Sequence, residues 1–492
     1  MNRCLLALPI SAIALLFVCS FPSQAGDWNQ WRGSSRDGHA VDSPALIDAL
    51  PEAGLEPQWL SEAEIPSGRS GGWGSPAIAD GKVYIFTHQR LLKDGAEVPK
   101  KKFPWLAPDK RTGMTPQEYA EYEVNRRDED EALGKYYRYA EVTHCIDAAT
   151  GKTLWTNDET SVYTRFLQSG TPAVIDGKVY VLGAGLKARC IDAESGKTLW
   201  TTQLPGEFRD EFLQSSFVVH DGIAVVFARQ LFGLNAKSGK ILWSAGDEGS
   251  NLHTSPTIWE RPNGSVAISN IGSGKTIGVN LASGEIEWEI ETSAGHATPV
   301  VAGDLLLTYG SSRKAGLRCF QLKEDAEPEE KWVFQGAADS GSSPVVAGKN
   351  VFVQGERRMA CVELETGEEV WRTTLDLENP RYASPVAADG KLFYAFGNLI
   401  CCAADADKFQ SLMNAKIDGS GLLADEAVFR KRLEMDKLET TAEGQAEAEK
   451  LWQKTFRNAG PLTCATPAIA DGRMFVRLKD RLACYDLRAE DK

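Results

Sequence analysis

The chain has 492 residues, of which 42 % are apolar, 25 % are charged and 45 are glycine, and its formal net charge is −14. That length can bury a large core, and so acidic a balance argues against a nucleic-acid partner. It is compatible with cationic ligands or metal ions and equally with plain solubility.

Residues 1–25 read as a secretory signal: Arg3 in the n-region, an apolar run from Leu5 to Phe21, and Ser23-Gln24-Ala25 as a small-x-small cleavage site. Val18 precedes Cys19 where a lipoprotein signal wants Gly, Ala or Ser, so simple cleavage after Ala25 is expected. Removing this segment takes away Arg3 and no carboxylate, moving the net charge to −15. No later run is long and apolar enough to span a bilayer as a helix. The expectation is an exported chain, periplasmic or extracellular, with no transmembrane segment after cleavage.

The lead, Asp27 to His39, is polar and carries two tryptophans, and it is expected to wrap the outside of the last repeat. Beyond it one pattern recurs. Residues 171–204 (TPAVIDGKVYVLGAGLKARCIDAESGKTLWTTQL) show it most cleanly, as four short alternating strands A to D separated by Gly-containing turns. Such a meander has two apolar faces and cannot bury itself. Recurrence about every 40–45 residues predicts an all-β, eight-bladed β-propeller of four-stranded antiparallel blades. The units open at Ser75, Thr171, Ser216, Ser255, Thr298, Ser343, Ser384 and Thr466. Strand D is marked by Trp155, Trp200, Trp243, Trp288, Trp332 and Trp371, and by Trp452 after an insertion in unit seven. Unit eight has no strand D of its own. The segment 55–60, with Trp59, is expected to supply it and close the ring, which removes an open sheet edge.

Residues 26–492 are thus one propeller with two partly helical insertions. One, at about 91–139, lies between strands B and C of blade one. The other, at about 405–444, lies between strands C and D of blade seven. In a four-strand meander the A–B and C–D turns share one face, and the B–C and D–A connections share the other. The first insertion is therefore expected on the loop-rich face and the second on the tight-turn face. Helices are expected within TPQEYAEYEVNRRDEDEALGKYY and over 424–438. Cys145, Cys190, Cys319, Cys361, Cys484 and one of Cys401/Cys402 occupy one position in mid-strand C, where units three and four have Gly233 and Gly278. Equivalent positions in neighbouring sheets are about 10 Å apart, beyond the roughly 4.4–6.8 Å Cα separation of a disulfide. Buried free thiols are expected.

The turns DAATGKTLW and DAESGKTLW resemble the tryptophan-docking repeat of the pyrroloquinoline-quinone (PQQ) propellers, a superfamily with quinoprotein alcohol dehydrogenases and the outer-membrane assembly lipoprotein BamB. The lead W-x-Q-W-R-G-x-x-R-D-G resembles the start of exported PQQ-like repeat proteins. The resemblance covers residues 27–490 and implies the propeller fold. It leaves function open, because this fold hosts enzymes and binding scaffolds alike. The repeated tryptophans read as packing locks between blades: burying ~150–250 Å² at ~25 cal/mol per Å² gives each about 4–6 kcal/mol as an upper bound.

Propeller ligands sit where D–A loops enter strand A. The residues two before each opening Ser or Thr are Trp73, Ser169, Gln214, His253, His296, Gly341, Tyr382 and Cys464, with Arg69, Arg165, Gln168, Asp339 and Arg381 nearby. They differ from repeat to repeat while the framework does not. They either form a specific binding surface at the funnel mouth or plug it with satisfied polar groups. His253 and His296 fall on adjacent blades, but two histidines do not make a metal site, and no ligand-spacing motif completes one.

The resemblance to PQQ dehydrogenases implies a Ca²⁺ site of carboxylates and amides, a catalytic Asp and an Arg at the quinone, often under a vicinal disulfide. Asp210-Glu211 and Glu378-Asn379 are unremarkable loop residues, and Cys401-Cys402 falls inside strand C. Gly272-Ser273-Gly274-Lys275 is a strand turn, not a phosphate loop. No catalytic residue, metal site or cofactor is assigned. The reading is a non-catalytic exported scaffold that binds a protein or cell-surface polymer through its loop-rich face. The alternative is a periplasmic PQQ- and Ca²⁺-dependent quinoprotein oxidoreductase.

Overall fold

A computed structural model describes residues 26–208, 214–247, 252–457 and 459–489. The expected signal segment and Asp210-Glu211 lie outside them. The chain forms eight antiparallel sheets arranged as a propeller, each built on strands A to D. Blade two shows the local logic. Its strands are Ala173–Ile175, Lys178–Gly183, Lys187–Asp192 and Thr198–Gln203, paired in sequence order. The A–B turn is Asp176-Gly177, both with positive φ, the backbone a two-residue hairpin needs to match strand twist. Blades one, three, seven and eight repeat it at Asp80-Gly81, Asp221-Gly222, Asp389-Gly390 and Asp471-Gly472.

At the C–D turn, Asp192 Oδ1 accepts the Ser195 N–H (2.8 Å) and hydroxyl (2.6 Å), which fixes the loop. A register shift then follows. Thr198 pairs with Ile191 and Trp200 with Cys190, so Leu199 is the extra residue of a β-bulge. The bulge turns Trp200 onto the next blade and leaves Leu199 half exposed. The same shift recurs in blades one and three to seven.

Each docking indole reaches forward one blade. Trp59, Trp155, Trp200, Trp243, Trp332 and Trp371 donate to backbone carbonyls of Ala148, Ala193, Ala236, Leu281, Leu364 and Ala406, at 2.9–3.1 Å. The glycine of the receiving turn lies against the ring: a Cβ on Gly196 (φ +70°) would sit 2.7 Å from Trp155. Glycine is required there twice over, for the dihedral and for the approach. Trp288 is the exception, and its indole nitrogen has no partner. Blade five turns from C to D within two residues, Lys323 pairing Ala326, and so has no extended turn beneath that ring.

Closure is as expected: Trp59 pairs with Cys484 and Leu60 with Ala483, completing blade eight. The mid-strand-C cysteines are buried and, with Cys402 and Cys464, unpaired. Of the vicinal pair, Cys401 takes the repeat position, paired with Met413 as Cys190 is with Trp200, while Cys402 pairs with Ser411.

Three expectations are overturned. Strand D of blade seven is Ser411–Ile417, not the segment around Trp452, and Met413 occupies the docking position opposite Cys401. Trp452 instead lies on helix α4, Ala442–Phe456, against Phe456 (4.7 Å between rings) in a satellite cluster with Phe429. Its helix-forming neighbours, capped by Thr441, outweigh the likeness of EKLW to a strand.

The second insertion consequently follows strand D rather than preceding it. It comprises a fifth strand, Leu423–Asp425, and helices α2 (Glu426–Arg432), α3 (Met435–Leu438) and α4. It leaves the loop-rich end of strand D, but Leu423–Asp425 runs back antiparallel along the outer edge of the blade, and the helices pack there, with Lys416 of strand D 5.9 Å over both Trp452 and Phe456. The first insertion is a B–C connection as expected and carries helix α1, Pro116–Leu133, opened by a Thr115/Glu118 capping box.

Third, the lead does not wrap the outside; it fills the central channel. Trp28 bridges to Ile78, Asn29 O accepts from Val174, and His39–Ala40 pairs in parallel with strand A of blade seven. Arg36 donates to the carbonyls of Phe217 (2.7 Å) and Ser216, and Arg32 to that of Pro344. Both guanidiniums are buried. The innermost strands leave carbonyls facing the axis, and a planar five-donor group can satisfy several of them. Burial lowers Arg36 to about 9 and Arg32 to about 10, so both stay charged at neutral pH.

Candidate functional site

The opening Ser and Thr residues form a belt around the channel. The N–H of Thr466 donates to Ser75 Oγ in the next blade, and the same bond runs from Thr171 to Ser216, Ser216 to Ser255, Thr298 to Ser343 and Ser343 to Ser384, all at 2.8–3.0 Å. The acceptor is serine each time. Where it would be Thr171, Thr298 or Thr466, the bond is absent among the described residues. Thr298 Oγ1 accepts from the Trp31 indole (3.0 Å) instead, and Thr171 Oγ1 and Thr466 Oγ1 have no partner.

Above this belt opens a cavity of about 610 Å³. All eight pre-anchor residues, from Trp73 to Cys464, line it, and so does Arg381. Arg69 and Gln168 lie outside its wall. Arg69 is exposed in the 68–72 turn, and Gln168 is buried beneath, its N–H donating to His88 Nδ1 (3.2 Å). Arg165 holds Glu123 of α1 at 3.6 Å, which ties the first insertion to the loop bearing Phe166 and Ser169. The reading from sequence missed Trp31, Phe166, Phe396 and Thr463, which also line the cavity. Trp31 was legible only as a tryptophan in an otherwise polar, Gly-rich lead.

Several pre-anchor side chains hold the neighbouring loop. Ser169 Oγ accepts the Trp73 N–H (2.8 Å), and His296 Nδ1 accepts that of His253 (3.0 Å). Buried Asp339 takes N–H bonds from Gly341 (2.8 Å), Ser342 (2.5 Å) and Tyr382 (3.1 Å) on one oxygen. Tyr382 has a φ of +63° and packs its ring where a Gly341 Cβ would be, so glycine is required at 341. The His253 and His296 rings are 4.6 Å apart, with Tyr382 6.3 and 6.5 Å from them. Burial, with the second imidazole adding repulsion, pushes His253 down to about 3, and burial lowers His296. Both are neutral at pH 7. Burial pushes the Cys464 thiol up to about 11, so it is not a thiolate nucleophile.

His88, Ser161 and Glu141 also meet, beneath the 161–169 loop, but not as a nucleophilic triad. Ser161 donates to Glu141 (2.8 Å), Glu141 is paired with Arg189, and His88 Nδ1 is held by the Gln168 N–H. The group braces the loop.

The donor set does not fit a Ca²⁺-bound quinone. Among the described lining residues the carboxylate is Glu378, with the Asn379 amide beside it, and both are exposed. Asp339 has one oxygen committed to three N–H groups. No group of three or more His, Cys, Asp or Glu side chains is placed to hold a metal ion among the described residues. A hard divalent cation asks for six or more oxygens.

No curated protein matches the sequence. Among solved structures, the quinohemoprotein alcohol dehydrogenase of Comamonas testosteroni is 11 % identical with a TM-score of 0.56, over 95 % of this chain and 81 % of that one. Quinohemoprotein alcohol dehydrogenase ADHIIG of Pseudomonas putida HK5 is 12 % identical with a TM-score of 0.56, over the same shares. BamB of Moraxella catarrhalis is 12 % identical with a TM-score of 0.47, over 71 % of this chain and 90 % of that one. At such identity the dehydrogenases share the fold alone. The family model described as outer membrane protein assembly factor BamB matches residues 139–373 and 329–410, more than half of the chain. With eight four-stranded blades locked by the tryptophan repeat, the chain belongs to this PQQ-like β-propeller family.

Proposed function

We propose that the protein is an exported, non-catalytic binding propeller whose loop-rich face engages a macromolecular partner and whose funnel receives part of it. One observation carries this reading. The residues that break the repeat converge on one cavity, floored by Trp31, and the first insertion is a B–C connection on the same face. A scaffold built from identical units gains an asymmetric recognition surface only where the units differ. Among the described residues no helix is long and apolar enough to cross a membrane.

The test is recovery of partners from the native source. Deleting residues 93–136, and joining the ends with a short Gly-containing turn, should leave the propeller folded by circular dichroism and abolish partner recovery. Undiminished recovery by the folded deletion sinks the reading. The quinoprotein alternative has its own measurement. Protein incubated with PQQ and Ca²⁺ is expected to show neither a bound quinone absorption band nor dye reduction.

A further inference from the structure

Some polar groups of the funnel remain once its internal hydrogen bonds are assigned. Thr171 is 2 % exposed and lines the cavity, yet its Oγ1 has no partner. Gln214 Oε1, also on the wall, has none. Leaving a buried acceptor unmade costs about 1–3 kcal/mol, which a ligand or water that donates to it recovers. Two blades on from Gln214, His296 Nδ1 is occupied by the His253 N–H, so the proton of the neutral ring is fixed on Nε2 and available to donate. The walls between are aromatic: Trp31 below, Trp73 and Tyr382 at the sides. The charges, Glu378 and Arg381, belong to exposed residues and not to the interior.

We infer that the funnel binds a saccharide end group, the terminal sugars of a surface polymer. The inference rests on the binding-propeller reading and names its ligand class. A sugar hydroxyl donates and accepts at once, and it suits a wall offering unpaired acceptors at Thr171 and Gln214 and a fixed donor at His296. The apolar C–H faces of a sugar ring pack on Trp and Tyr rings, which present large rigid area with little entropy to lose. An ionic ligand would demand a countercharge within the cavity, and its described wall supplies none below the rim. The volume lies within the ~300–1,000 Å³ range of small-ligand sites. It accommodates the end of an oligosaccharide rather than the body of a chain.

The experiment titrates the full mature chain with glucose, galactose, mannose, N-acetylglucosamine and glucuronic acid and their homodisaccharides. Tryptophan fluorescence and calorimetry report binding. At least one sugar should saturate, with a change in emission from Trp31 and Trp73. Gln214→Leu and Trp73→Ala should each weaken it by about tenfold or more while the thermal midpoint stays within a degree or so of the parent. If no sugar in the panel saturates, or if both variants bind unchanged, the inference is overturned. An empty titration alongside partner recovery that depends on 93–136 rejects the saccharide and leaves the binding face standing. Loss of that dependence rejects the face itself.

Discussion

The two faces of this propeller follow different rules. On the tight-turn face, Asp147, Asp192, Asn235 and Asn280 all cap their C–D turns through side-chain oxygen, and the turn glycines carry the indole of the preceding blade. On the loop-rich face the eight pre-anchor positions carry seven residue types, with histidine alone used twice, at 253 and 296. The contrast separates what the fold requires from what the fold leaves free: one face is fixed by mutual packing between blades, while at the pre-anchor ring of the other the side chains mainly accept from backbone N–H groups, a role that many residue types can fill. Substitutions on the two faces should therefore differ in kind, stability on one side and recognition on the other.

The largest expected effect erases the contrast altogether. Removing residues 27–60 takes away both the channel filling and strand D of blade eight. The product should aggregate, as judged by light scattering; a soluble truncation with an unchanged melting temperature would show that the ring closes without Trp59. Next, Trp243→Ala should cost ~3–5 kcal/mol in denaturant unfolding. Trp452→Ala, on a partly exposed helix outside the blades, should cost about 1 kcal/mol or less. Equal costs would restore Trp452 to the docking set. Gly196→Ala should lose about 2 kcal/mol or more, from a positive φ and a Cβ pressed on Trp155.

A smaller effect comes from pH. Burial holds His253 near 3, well below its unfolded value of about 6.5. The unfolded chain therefore binds the proton first. The contribution of the neutral ring is complete above pH 6.5 and drains as pH falls toward 3, at ~1.4 kcal/mol per unit. Asp27, raised to about 6 by burial and Asp80, works the other way, contributing below 3.8 and losing that as pH rises through 6. Comparing parent with His253→Asn cancels the second term, so their stability difference should narrow between pH 6.5 and 5. A constant difference would place the ring in contact with water. The smallest effect tests the indole bonds. Trp243→Phe leaves the Leu281 carbonyl unmet and should cost ~1–3 kcal/mol. Trp288→Phe loses no hydrogen bond, so its cost should be lower by about 1 kcal/mol.

The blades were legible because alternation, Asp-Gly turns and a recurring Trp all point to one architecture, and each agrees with the others. The pre-anchor positions were legible for the same reason, since a fixed frame tells where the variable residues must emerge. Blade seven was misread because Met413 does in packing what tryptophan does elsewhere, and volume, not residue identity, is what the slot selects. A nearby tryptophan in a helix then stood in for it. The lead was misread because its signal is polar. Arg32 and Arg36 look like surface residues until the axial carbonyls are known to need donors, and those carbonyls exist only after the ring has formed. Trp31 as the floor of the funnel was hidden by the same step.

That filled channel also sets an order of events. Trp59 pairs with Cys484, Leu46 bridges Arg488, and the Ile47 N–H donates to Leu487. The segment that emerges early in synthesis thus meets its last partners only when nearly the whole chain is out. Blades two to six can pair locally as they appear, but the axial residues and the seam are contacts of very high sequence separation, the slow class in folding. Until the seam closes, a finished row of blades would wait with an open edge and a hollow axis, and the duration of that interval is the period in which a chaperone or a second copy of the chain can intervene.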